Sequence, residues 1–160
     1  MRRLGLMLFL LGATPAFGLS CKAPNFGEDF NRIAVVEEVY SVGYGQLRPL
    51  ELVPDYVDGQ PRSVKMQFVG KMLGRLGFGE TGTVEVTVTT GCAGSFCGPI
   101  PTTQTPMLAF LEHKPAGLAL RSGACAPDYH LTPSLGQLAA VRACMKAGTC
   151  GTDEIDAFAN

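Results

Sequence analysis

Six cysteines lie downstream of a segment that reads as an export signal, and this constrains the fold more than anything else in the 160-residue chain. The cysteines are Cys21, Cys92, Cys97, Cys125, Cys144 and Cys150. Ahead of them, Arg2 and Arg3 follow Met1, Leu4 to Leu11 is apolar except for Gly5, and Gly12, Ala13, Pro15, Ala16 and Gly18 form a small-residue exit. That is the layered plan of a secretory signal peptide. The apolar run is too short to cross a bilayer, which takes about 20 residues. The sequence thus predicts a signal peptide over 1–20 and one folded domain over 21–160. Cleavage fits after Gly18, leaving Leu19 first, or after Ser20, leaving Cys21 first. A leading cysteine also raises a lipid anchor at Cys21. That signal uses an aliphatic residue three positions before the cysteine, where this chain has Gly18, so simple export is favoured.

An even cysteine count in a short exported chain reads as disulfides formed in an oxidising compartment, periplasmic or extracellular. Zinc is the rival. Its ribbons and knuckles use Cys-x-x-Cys pairs, whereas four residues separate Cys92 from Cys97 and five separate Cys144 from Cys150. No intrinsic metal and no cofactor are expected. Without Arg2 and Arg3, 11 basic residues face 14 acidic ones, a net charge of −3. That balance argues against a nucleic-acid partner. Lys65, Lys71, Arg75 and Arg62 gather around one strand without interleaved aromatics, which reads as a solvated face. No second apolar stretch reaches membrane-spanning length.

Five strands and a helix emerge along residues 21–160. Ile33–Tyr40 is Val- and Ile-rich and reads as the first strand, after a lead-in anchored by Phe26 and Phe30. Residues 41–62 carry Gly43, Gly45, Pro49, Pro54, Gly59 and Pro61 and read as a long loop. Ser63–Leu73 alternates Val64, Met66 and Phe68 with polar residues, a second strand with one buried face. Thr83–Thr89 alternates Val84, Val86 and Val88 with Thr and Glu, and should pair with strand two as an antiparallel hairpin. Residues 91–106 read as loop. Met107–Glu112 is a continuous apolar run, hence a central strand, and Leu118–Arg121 pairs back on it. Thr132 and Pro133 suit a helix start, Leu135, Leu138, Val141 and Met145 share a face, and Gly148 suits the stop. About five strands followed by a helix predict a mainly β protein: an oligonucleotide/oligosaccharide-binding (OB)-fold-like five-stranded antiparallel barrel with a C-terminal α-helix, stapled by disulfides.

Taken together, a leading cysteine, a Val-rich strand, the hairpin ending Thr-Val-Glu-Val-Thr-Val-Thr-Thr, a loop closing on Phe96-Cys97-Gly98, the apolar strand Met107-Leu108-Ala109-Phe110-Leu111, a Gly117-Leu118 turn, Cys125 and a terminal helix resemble netrin-like domains. Within these they resemble the amino-terminal domain of the tissue inhibitors of metalloproteinases. The resemblance covers residues 21 to about 150. It implies a Cys21–Cys97 bridge and a protein partner, a zinc metalloprotease. The free amine and carbonyl of Cys21 would chelate the protease zinc from a ridge of Cys21, Lys22, Ala23 and Pro24 beside Ser95 and Phe96. The inhibitors begin Cys-x-Cys, whereas Lys22 and Ala23 follow Cys21 here. Cys125, which matches the partner of that missing cysteine, would then pair with Cys92, and Cys144 with Cys150.

Catalysis needs a positioned nucleophile, base or metal. His113 ends an apolar strand, where a solvent-facing tip is expected. His130, in Asp128-Tyr129-His130, could form a hydrolytic His–Asp pair, but no Gly-x-Ser-x-Gly elbow accompanies it. Glu37 and Glu38, adjacent on an expected strand, would point to opposite faces. No catalytic residue is assigned. Three readings follow: metalloprotease inhibition, a non-inhibitory envelope-associated binding module whose loops 41–62 and 91–106 contact a partner, and a hydrolase using His130.

Overall fold

The computed structural model describes residues 21–101 and 104–159, so the expected signal peptide lies outside the described residues. In chain order the elements are α1 (Phe26–Ile33), β1 (Tyr40–Pro49), β2 (Ser63–Gly74), β3 (Gly77–Thr90), β4 (Cys92–Ala93), β5 (Phe96–Cys97), β6 (Met107–Lys114), β7 (Gly117–Ser122), β8 (Tyr129–Leu131), α2 (Leu135–Ala147) and α3 (Thr152–Asp156).

Five strands close on themselves. β1 pairs antiparallel with β2, β2 with β3, β6 with β7, and β6 with β1, while β3 and β7 run parallel, with Val88 opposite Leu120. The order β1-β2-β3-β7-β6 returning to β1 is the OB-type barrel. This is the expected mainly β, OB-fold-like barrel, antiparallel but for one seam. A ring of five strands cannot alternate direction all the way round, so one seam must be parallel. The tight hairpins β2–β3 and β6–β7 leave β3–β7 to be that seam.

The strand alternation sorts side chains into two cores. Val64, Met66 and Phe68 of β2, Val86 and Val88 of β3, Met107, Ala109 and Leu111 of β6, and Leu120 fill the barrel. The intervening β6 residues Leu108 and Phe110 face outward and are covered by the helices, with Phe26, Phe30, Val141, Cys144 and Phe158. Both faces of β6 are therefore buried, which is why its sequence is a continuous apolar run. Phe26 stacks on Phe110 with ring centroids 4.0 Å apart.

The first strand lies later than expected. Ile33 closes α1, whose start is capped by the Asn25 side chain accepting from the Gly27 and Glu28 N–H groups. Val35, Val36 and Val39 are exposed, as are Glu37 and Glu38, which lie before the strand rather than on opposite faces of it. β1 instead occupies 40–49, inside the expected loop, and contains Gly43 and Gly45. A Cβ on Gly45 would run into the Val69 carbonyl oxygen, and one on Gly70 into that of Tyr44. These glycines permit the close crossing of β1 and β2 that bends the barrel, so here glycine belongs to a strand and not to a turn.

The terminal helix starts two residues later than expected. Ser134 is the N-cap, in a capping box with Gln137, and Thr132 sits outside with φ +47°. The buried face is Gln137, Ala140, Val141 and Cys144, while Leu135 stands 86% exposed. Gly148 ends the helix in the left-handed conformation, as expected.

Three disulfides join Cys21 to Cys125, Cys92 to Cys97 and Cys144 to Cys150. The last is the expected local bridge. The Cys21–Cys97 and Cys92–Cys125 pairings implied by the resemblance are corrected. Cys92 and Cys97 are opposite each other in the β4–β5 hairpin, so each is the nearest sulfur to the other. Cys21 is left to reach the turn after β7.

Candidate functional site

Two of the sequence-nominated segments meet around the turn after β7. Cys21 is stapled to Cys125 within that turn. Gly98, just after the β4–β5 hairpin, packs so closely on the Ser122 and Gly123 carbonyls that a Cβ there would overlap them. Ser122 donates its hydroxyl to the Pro99 carbonyl, and the Gly91 N–H donates to the Ser122 carbonyl at 2.9 Å. The N-terminal segment and the base of the hairpin thus rest on one short turn. Lys22, Ala23 and Pro24 are exposed, with Lys22 paired to Glu28 at 2.6 Å. The Cys21 sulfur, bonded to Cys125, leaves no thiol to carry a lipid.

The hairpin tip is held elsewhere. The Ser95 carbonyl accepts from the Tyr56 hydroxyl and from the Gly59 N–H, both at 2.9 Å. The Cys97 N–H donates back to the Tyr56 oxygen at 3.3 Å. Ser95 and Phe96 are therefore fixed to the 50–62 loop and not to the amino terminus. Between loop and hairpin lies a cleft of about 410 Å³ lined by Val53, Tyr56, Arg62, Phe96, Pro99 and Ile100. Phe96 and Tyr56 are each 47% exposed at its rim, and Leu52 is 92% exposed nearby on the same loop. The Arg62 guanidinium lies 5.2 Å from the Tyr56 ring centroid and donates to the Pro54 carbonyl at 3.1 Å, and its Nε is buried without a partner among the described residues. A guanidinium held over a ring stiffens the aromatic wall of the cleft.

The cleft lies between the two loops, 41–62 and 91–106, expected from the sequence to contact a partner, but of its rim aromatics only Phe96 was singled out there by residue. Tyr56, Leu52 and Val57 lie in a stretch dominated by its prolines and glycines. Leu-Glu-Leu-Val-Pro-Asp-Tyr-Val has too many large apolar residues for a solvated loop, and that was the available signal.

The acid–base candidates are engaged in structural contacts. Asp128 is buried and faces Arg121 at 3.3 Å and Arg32 at 3.9 Å. Burial pushes its carboxyl above the usual carboxylate range, outweighing the pull of the two guanidiniums. The His130 Nε2 lies 3.2 Å from the Gln137 side-chain oxygen, and the ring meets Phe158 edge-on. The expected His–Asp pair is thus replaced by a His–Gln contact and an Asp–Arg contact. His113, exposed at the end of β6, has its Nε2 2.8 Å from the Ser41 hydroxyl. Among the described residues no group of three or more His, Cys, Asp or Glu side chains could hold a metal ion, and no helix is long and apolar enough to cross a membrane.

The basic residues named around strand two are dispersed. Lys65 pairs with Glu85 at 3.4 Å. Arg62 precedes β2 and Arg75 follows it, at opposite ends of a 12-residue strand. No family model matches the chain, and neither a curated protein nor a solved structure matches it.

Proposed function

We propose that the chain is an exported protein-binding module that grips its partner through the cleft between the 50–62 loop and the β4–β5 hairpin. The observation that carries this reading is the pair of half-exposed aromatics, Phe96 and Tyr56, held rigid at the rim of an apolar cleft. Large apolar side chains grouped at a surface cost solubility unless a partner covers them. Aromatic and Arg side chains dominate interface energetics. The Cys92–Cys97 bridge and the three hydrogen bonds among Tyr56, Gly59, Ser95 and Cys97 order the surface before binding, which lowers the entropy lost on association. Three disulfides suit an oxidising, exported location. The test places a photo-crosslinking residue at Phe96 in the exported protein, with a control at Glu80. One dominant adduct from position 96, absent at position 80, is expected, and Phe96→Ala should weaken that complex about tenfold or more. Equal adducts from both positions, or an unchanged affinity, overturn the reading.

A second reading is metalloprotease inhibition of the netrin-like type. It is supported by the OB-type strand order and by an exposed Cys21 stapled to the turn on which Gly98 rests. Its bridge to Cys125 puts Cys21 in the place that the resemblance gives to the second cysteine of the inhibitors' ridge, so the zinc-binding role depends on a free amino group at Cys21. Intact mass of the exported protein fixes that terminus. Mature protein starting at Cys21 should slow a zinc endopeptidase and lose that effect on amino-terminal acetylation. Equal activity of the acetylated and free forms, or none in either, removes this reading and leaves the first standing.

A further inference from the structure

Three cations converge at the end of the barrel opposite the apolar cleft. Arg75 occupies the β2–β3 turn, while Arg142 and Lys146 stand one turn apart on the exposed face of α2. Gly77, at φ +112°, folds the hairpin tip back against the Arg142 guanidinium, which lies 3.6 Å from where a Cβ on Gly77 would stand. Together with Leu76, Ala139 and Ala143 they line a cleft of about 470 Å³ whose walls contain no carboxylate. None of the three forms an ion pair among the described residues, although five of the other basic side chains (Lys22, Arg32, Lys65, Lys114 and Arg121) do.

In a domain of net charge −3, three like charges held together without an acid repel one another and stabilise nothing as they stand. Some of this is relieved by the carboxyl end of α2, whose dipole favours Lys146. That accounts for one cation and not for Arg75, which comes from a different element. The donors also exceed what a carboxylate can accept. Two guanidinium forks and an ammonium match an anion with three charged oxygens, and the small side chains of Ala139 and Ala143 leave room for it. We propose that this cleft binds a phosphate-bearing ligand, with Arg75 and Arg142 clasping the phosphate oxygens and Lys146 supplying the third charge. Leu76, fully exposed at the hairpin tip, lies beside the site and would contact whatever carries the phosphate.

The phosphate can belong to a soluble molecule or to a lipid headgroup, and two arms of one experiment separate them. Mature protein with its disulfides formed is titrated with inorganic phosphate and followed by amide NMR shifts. It is also sedimented with phosphatidylcholine vesicles, with and without phosphatidylglycerol. Binding in the first arm alone identifies a soluble ligand, and binding only to the phosphatidylglycerol vesicles identifies a headgroup. Either is expected to weaken about tenfold in Arg142→Ala and in Arg75→Ala, and to fall as salt is raised. Arg48→Ala, an exposed cation on β1 outside the cleft, serves as the control and should change affinity by less than about twofold. All these side chains are exposed, and melting curves verify folding of each variant. No binding in either arm, or an Arg48→Ala effect equal to that of Arg142→Ala, overturns the proposal. Phe96→Ala leaves this site intact, so its outcome is independent of the protein-binding surface.

Discussion

Asp128 connects side-chain chemistry to stability. Its carboxylate is nearly excluded from water, and burial raises its pKa despite Arg121 and Arg32. A carboxyl whose folded pKa lies above its unfolded value contributes most at low pH. It loses that contribution as pH rises through the folded value, because the unfolded chain gives up the proton first. Asp128→Asn cannot titrate. Its melting temperature relative to the parent should therefore move in the variant's favour between pH 3 and pH 7, and the opposite slope would mean that the guanidiniums win over burial. At this scale the sequence pointed to the right residues with the wrong partners. Asp128 and His130 sit two apart, which invited a pairing. Asp128, just before β8, meets Arg121, whereas His130, on β8, meets Gln137.

Among the elements, periodicity was legible wherever one face is buried. β2 and β3 alternate because one side of each fills the barrel, and β6 does not because the helices cover its back. β1 was misplaced for a physical reason. Its glycines are demanded by contact with β2, a tertiary requirement that in one dimension is indistinguishable from a loop. α2 carried a local signal that was passed over: Ser134 and Gln137 have the spacing of a capping box. Gln137 also receives His130, so the cap ties the helix to β8. Ser134→Ala should cost about 1 kcal/mol, seen as a lower denaturation midpoint with an unchanged slope. Thr132→Ala, outside the helix, should cost less, and a reversed order would return the cap to the position favoured from sequence.

At the scale of the whole molecule, the disulfides differ in reach. Cys21–Cys125 spans 104 residues and Cys144–Cys150 spans six. By loop-closure entropy, the first stabilises by about 4.7 kcal/mol and the second by roughly 2 kcal/mol. The double variant Cys21→Ala/Cys125→Ala should therefore lose at least about twice as much stability to denaturant as Cys144→Ala/Cys150→Ala. Equal losses would show that loop-closure entropy does not set the difference between the two bridges. The sequence by itself determined the mainly β class, the two hairpins and the terminal helix, because each depends on residues a few positions apart. Only the tertiary structure decided the parallel seam, the pairing of Cys21 with Cys125, and the meeting of Tyr56 with Phe96. Those are distances across a closed barrel, set when the last strand pairs with the first, and no local pattern records which residues that closure brings together.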